Sequence, residues 1–350
     1  MRYLVVIAGK ITTNNFWPRG TSDADTLKLD ITDGGIFYGS PHSRNLIRTH
    51  VFDNAYCKVD KVKQPVISDK GIVEIRLQGV DAPELHYPVI YENSDAPVIH
   101  YRQYLGKTAT VDMVTALGGQ NKTINCEIWS YINKPSDLFD AYGRAIGYAF
   151  TVDQSGNNFD ININELLVET GLAFPTFYTS MQYEELDYFH YLARLAIKHK
   201  RGVWGYYKNA VRTSKLKLQF KYSDREYDRD KDLGTLIFPK VFRRATRWVR
   251  GIEIGEIKST KSFRKFLKSE PPVTFSYLDD ILSFGTRFNI PVYNLYDLIS
   301  SDNRVKVSPL QVVFYETPGL VYDSEGNEIK DFEDSFYSSI STISNKRLNQ

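Results

Sequence analysis

Acids and arginines fall together at three places in this 350-residue chain. Asp23, Ala24, Asp25 and Thr26 lead into a β-type run, LKLDI. Arg76 opens a second group, RLQGVDAPE, which carries Asp81 and Glu84 from a strand into a loop stopped by Pro83. Asp140, Ala141, Tyr142, Gly143 and Arg144 form a turn that feeds the run AIGYAF. Together these types meet the needs of phosphodiester hydrolysis. The phosphate repels an incoming nucleophile and the transition state gathers charge on oxygen, so positive groups must sit on the phosphate and a base on the water. Arg76 and Arg144 suit the phosphate, because a guanidinium donates two parallel hydrogen bonds and stays charged. Asp25 and Asp81 offer oxygen ligands for a hard cation, and Glu84 can orient or deprotonate water.

Taken singly, each group is ordinary. An Asp before a strand is usually turn chemistry, an Arg on a strand is often an ion-pair residue, and Tyr-Gly-Arg is a common turn. His86, beside the second group, reads as an incidental loop residue. What must position these groups is a first half that alternates short apolar runs (LVVIAG, GIVEIRLQGV, INCEIWSYI and AIGYAFTV) with turn signals, as barrel strands do. Helices are expected near 98–117, 163–171 and 183–201. The last repeats Leu186, Phe189, Leu192, Ala193 and Ala196 at helical spacing before Gly202.

Length and composition bound the rest. A chain of this size exceeds the roughly 250 residues of a single core, and 42% hydrophobic with 25% charged residues is a globular composition. No apolar run approaches the roughly 18 residues that span a bilayer, so membrane insertion is not expected. Two cysteines exclude a four-thiolate zinc site and, with no export signal evident, point to a cytoplasmic setting. The six histidines never pair at zinc-hydrolase spacing. Aromatic content of 14% reads either as stacking surface or as an excess of core Phe and Tyr. Residues 208–268 hold 18 Lys and Arg against 7 Asp and Glu, which suits a polyanion such as nucleic acid or, as plainly, a solvated linker. A charged linker is expected at 208–234 and a small C-terminal α+β domain at 235–340, where KVSPLQVVFYETPGLVYDSEGNEI reads as a strand pair. The Ser- and Asn-rich tail is expected to fray.

In their order along the chain, the three groups resemble the staphylococcal nuclease, or thermonuclease-like, family. DADT stands for the family's DGDT, RLQGVDAPE for RLxGxDxPE and DAYGR for D-x-YGR, and GKTA, ININELLVETGLA and RGVW add to the likeness over about residues 3–204. The resemblance implies an α+β, mainly β domain at 1–207: a five-stranded OB-type barrel with three helices. It also implies an endonuclease that hydrolyses DNA or RNA with one Ca2+ per active site. Asp25 and Asp81 would be its side-chain ligands, Ala82 would offer a backbone carbonyl, and Asp23 would act through water. Arg76 and Arg144 would bind phosphate and Glu84 would activate water. Tyr142 would lie on the substrate side, and Phe177 or Tyr178 would stack near a base.

Departures temper this. Ala24 replaces the family's glycine between the aspartates, and Ala141 replaces a lysine before the Tyr-Gly pair. An insertion at about 31–72 carries Arg44, Arg48 and aromatics that can extend a nucleic-acid groove or form an extra hairpin. The alternatives to a nuclease are a nucleic-acid-binding module that has lost cleavage and a scaffold whose C-terminal domain takes a protein partner.

Overall fold

The computed structural model describes residues 2–41, 45–91, 95–153, 158–207, 219–220, 227, 235–284 and 290–332. Arg44, nearly all of the charged stretch 208–234 and the Ser- and Asn-rich tail lie outside the described residues.

Strand β1 (Tyr3–Thr12) pairs antiparallel with β2 (Thr26–Gly39), and β2 pairs with β3 (Ile72–Leu77). Strand β4 (Thr123–Ile132) returns beside β1, β5 (Ala145–Val152) lies against β4, and β5 runs parallel to β3. The order β1-β2-β3-β5-β4 thus closes on β1 as a ring of five strands, compatible with an OB-type fold. Alternation explains the ring. Val73, Ile75 and Leu77 of β3 point inward with Leu27 and Leu29 of β2, while Glu74 and Arg76 face outward. Helices α1 (Gly106–Ala116), α2 (Ile163–Glu169) and α3 (Tyr183–Lys198) pack on the ring.

The first helix is shorter than its sequence pattern suggests. Ile99–Tyr101 is instead a strand that pairs with Tyr87–Val89 and Gln219–Phe220, so only the residues from Gly106 onward are free to wind. The inserted segment extends β2, adds Ile47–Thr49 beside it and builds a hairpin from Tyr56–Val59 and Val62–Pro65.

Beyond residue 235 the chain forms α4 (Pro239–Glu253) and a strand layer that joins the barrel half directly. Val312–Phe314 lies between Thr274–Tyr277 and Phe177–Tyr178, and Val321–Tyr322 pairs with Tyr56–Cys57 of the inserted hairpin. The two strands expected to pair with each other therefore take separate partners from the first half. A core is shared as well. Tyr101, Leu105, Phe174 and Val203 from the first half pack with Phe238, Val241, Phe242 and Phe314 from the second, and the Phe174 and Phe238 rings lie 6.1 Å apart.

A shared core couples the halves. Phe174→Ala should cost about 3–5 kcal/mol, the range for truncating a buried aromatic. Urea titrations of wild type and variant should each show one midpoint by far-ultraviolet circular dichroism and by tryptophan fluorescence. Separate midpoints would show that the halves melt independently.

Candidate active site

The ring topology brings the three acid and arginine groups to one barrel end. Asp25 immediately precedes β2, whose first residue, Thr26, lies opposite Arg76 near the end of β3. Because β5 runs parallel to β3, with Ala145 beside Ile75, Arg144 at the start of β5 reaches the same end. Asp81 sits in the two-residue strand Val80–Asp81, held by Phe174–Pro175. Asn164 of α2 fixes the turn between Arg76 and Asp81: its side-chain amide donates to the Gln78 carbonyl at 2.7 Å and accepts from Ala149 N–H at 2.9 Å.

Arg76 bridges the acids. It pairs with Asp25 Oδ2 and, at 2.8 Å, with Asp81 Oδ1, while the Ala82 N–H donates to Asp25 Oδ2 at 2.8 Å. Arg144 is held in place by Asp140, which accepts from its Nε at 2.8 Å and from the Tyr142 and Arg144 amides. A further donation to Thr26 Oγ1 at 3.2 Å ties Arg144 to the Asp25 side of the cleft. Tyr142 is exposed, with its ring under the Arg144 guanidinium.

Glu84 lies on the loop after Asp81, where Gln103 grips it twice. The Glu84 N–H donates to Gln103 Oε1 at 2.9 Å and the Gln103 N–H donates to the Glu84 carbonyl at 2.8 Å. Gly106 lets α1 start against that carbonyl, since a Cβ there would stand 2.6 Å from the Glu84 oxygen.

These surroundings push the carboxyls apart. Burial alone would raise Asp25, but Arg76 and the Ala82 N–H outweigh it and hold the group below the ordinary carboxylate range. Burial, with Asp81 and Asp25 nearby, lifts Glu84 to about 7 against the pull of Arg243. Asp23 rises to about 7 through burial and the charges of Asp25 and Glu84. A pair such as low Asp25 and near-neutral Glu84 suits division of labour between a fixed charge and a proton carrier.

Two aromatic expectations fare differently from Tyr142. Phe177 is wholly buried in the barrel core, so it has no face for a base, and Tyr178 is covered by Phe314 and by the Lys240 ammonium 4.8 Å above its ring. Both lie in the strand that the C-terminal half has paired with.

The residue that sequence reasoning missed is Arg243 of α4. Its Nη2 stands 3.2 Å from Asp81 Oδ2, its Nη1 stands 3.4 Å from Asp81 Oδ1, and its Nη1 also donates to Glu84 Oε1. Both oxygens of Asp81 thus face guanidinium groups. A divalent ion needs carboxylate lone pairs turned into a common space. As arranged, the acids give theirs to Arg76 and Arg243, and among the described residues no cluster of three His, Cys, Asp or Glu side chains is disposed to hold a metal. The residues in this form do not fit calcium. The one sequence signal for Arg243 was the basic and aromatic run RRATRWVR, which carries no sign of the acids it meets.

Comparison with known families bears on the same stretch. Residues 74–206 match the family described as staphylococcal nuclease homologue, which takes in Arg76, Asp81, Glu84, Arg144 and α1 to α3. The DADT group lies before the matched span and joins the site through the pairing of Thr26 with Arg76. No curated protein matches the sequence. No helix among the described residues is long and apolar enough to cross a membrane.

Lys240, one turn before Arg243, is lowered to about 7 by burial, with Arg243, Arg244 and Arg76 adding repulsion against the attraction of Asp81. Its folded pKa lies below its unfolded value, so between about pH 7 and 10.5 the unfolded chain binds the proton that the folded chain lacks, and stability rises with pH. Lys240→Met should remove this slope, at most about 1.4 kcal/mol per pH unit. Denaturation across pH 6 to 10 should show the variant's advantage largest at the acid end of the window and shrinking toward alkaline pH. A constant difference would place the ammonium in a solvated setting.

Proposed function

We propose that this chain, with its staphylococcal nuclease homologue segment, binds the phosphate backbone of nucleic acid at this cleft and hydrolyses the phosphodiester bond of DNA or RNA. The convergence of Asp25, Arg76, Asp81, Glu84 and Arg144 at one barrel end carries the reading. Arg76 and Arg144 would grip the phosphate oxygens and stabilise their transition-state charge. Glu84, poised near neutrality, would take the proton of the attacking water. Asp140 and Asn164 would act as positioning residues, the first aiming Arg144 and the second the turn between Arg76 and Asp81. Tyr142 offers an exposed ring on the substrate side. The calcium that the resemblance implies would be held by Asp25, Asp81 and the Ala82 carbonyl with Asp23 acting through water, and its binding would require Arg243 to leave Asp81. A cytoplasmic location accords with Cys57 and Cys126, which are buried and unpaired.

One observation favours a second reading. Arg243 occupies the acids, which suits a nucleic-acid-binding or scaffold module that no longer cleaves. Digestion of single-stranded DNA, duplex DNA and RNA by the full chain, with calcium, magnesium or chelator, separates the two. The nuclease reading expects cleavage that chelator abolishes; binding without cleavage under every condition supports the module.

Within the nuclease reading, Arg76→Lys and Arg144→Lys keep charge but lose the guanidinium fork. Each should slow cleavage by at least about a hundredfold, the scale of removing one transition-state donor. Glu84→Gln should lower turnover while nucleic-acid affinity, measured by fluorescence anisotropy, stays near wild type. Near-normal rates in all three would place the chemistry elsewhere.

A further inference from the structure

We infer that Arg243 is a tethered cation: its guanidinium takes the Asp81 lone pairs that a divalent ion would need and ties Asp81 to Glu84, so that metal and docked α4 exclude one another. The inference rests on reading the cleft as a nuclease-type site and adds to it a control on the access of the ion.

Charge and geometry agree on this role. Asp81 is fully buried, and a buried carboxylate is costly without positive partners. Arg76 supplies one and also serves Asp25; Arg243 supplies the other and also serves Glu84. A guanidinium that binds two carboxylates at once performs the electrostatic work of an ion shared between them, with the difference that it is covalently part of the chain. Its donors occupy lone pairs that an ion would need.

The helix that carries Arg243 is seated as core, not laid on as a surface arm. Ile237, Phe238, Val241 and Phe242 are buried beside it. The fully buried Gln103 links the helix start to the acid loop, because its Nε2 donates to the Ile237 carbonyl at 2.7 Å while its Oε1 accepts from the Glu84 N–H. Movement of α4 and release of Glu84 are therefore one event. Elsewhere on the helix Arg247 pairs with Glu270 and Arg250 with Glu253, while Lys240 lies over the Tyr178 ring within the field of Asp81 without pairing with it. Among the described residues of α4, Arg243 is the one whose side chain forms ion pairs with acids of the barrel half.

The test is calcium binding to the full chain by isothermal titration calorimetry, with no nucleic acid present. Arg243→Gln removes the tethered charge and leaves the acids a deficit that a free ion can fill. It should bind calcium at least about tenfold more tightly than wild type, and calcium should raise its melting temperature while leaving that of wild type unmoved. Arg247→Gln, on the same helix, should behave as wild type. Arg243→Gln combined with Asp81→Asn should lose the gained binding. Should Arg243→Gln fail to fold, Arg243→Lys carries the test: its compact ammonium cannot span both acids, and its calcium affinity should again exceed that of wild type. Wild type binding calcium as tightly as the Arg243 variants, or a folded Arg243→Gln that binds none, would overturn the inference. Calcium binding gained without any cleavage would leave it standing and end the nuclease reading. Wild-type cleavage at the variant's rate would do the reverse.

Discussion

A carboxylate buried to zero exposure dictates much of this architecture. Asp81 lies in a two-residue strand with no access to solvent, and an isolated ionised group there would cost far more than the fold can carry. It pairs with two guanidiniums, one from strand β3 and one from helix α4, more than 160 residues further along. Breaking a buried pair by removing one partner typically costs about 3–5 kcal/mol, because the surviving charge is left uncompensated. The docking of the C-terminal half and the charge state of the barrel site are therefore not separate properties. Displacing α4 would take one of the two guanidiniums from Asp81 and leave it Arg76 alone.

The same constraint explains where the basic middle of the chain goes. Its net positive charge suggests a surface that tracks a polyanion, yet among the described residues much of it is turned inward or paired. Arg243 meets Asp81 and Glu84, Lys240 lies over Tyr178 and Phe314, Arg247 meets Glu270 and Arg264 meets Asp297. Charge counted along a sequence cannot tell a solvated face from one matched to buried acids, because the match is made in space. The inserted segment follows the same pattern. Its hairpin gives an edge to Val321–Tyr322, and the Tyr38 ring stacks on Phe332 at 4.5 Å, so the insertion serves as a socket for residues 321–332.

How much was legible follows from the range of each interaction. The barrel strands were readable because alternation is local: Leu27, Leu29, Val73, Ile75 and Leu77 mark an inward face without knowledge of their partners. The candidate residues Asp25, Arg76, Asp81, Glu84 and Arg144 were readable as a set because turn and strand-end motifs hold their spacing. Their convergence follows once β3 and β5 are parallel neighbours. Helix α1 was drawn too long because Ile99–Tyr101 has apolar spacing that serves a strand as well as a helix, and the pairing with Tyr87–Val89 decides between them. Phe177 was misjudged for a similar reason. An aromatic pair beside a site looks like a stacking platform until a second half of the chain lays Val312–Phe314 along it. Arg243 was beyond reach, since neither propensity nor periodicity carries its separation from Asp81.

A tethered cation also changes the arithmetic of the site. A free ion competes by concentration, but a guanidinium on a docked helix competes at an effective concentration set by the chain, which no dilution lowers. If the open form has a small population, the apparent dissociation constant for an ion is the intrinsic one divided by that fraction, so a hundredfold bias toward the docked form weakens binding about a hundredfold. Here the bias is supplied by apolar burial, through Phe238, Val241 and Phe242 against Phe174 and Tyr101, and not by the ion pairs alone. On that inference, hydrophobic contacts some distance from the carboxylates would set the ion affinity of the site, with Gln103 as the physical link between them. In such an arrangement, freeing the acids would require parting a core, and their chemistry would follow the stability of the helix that covers them.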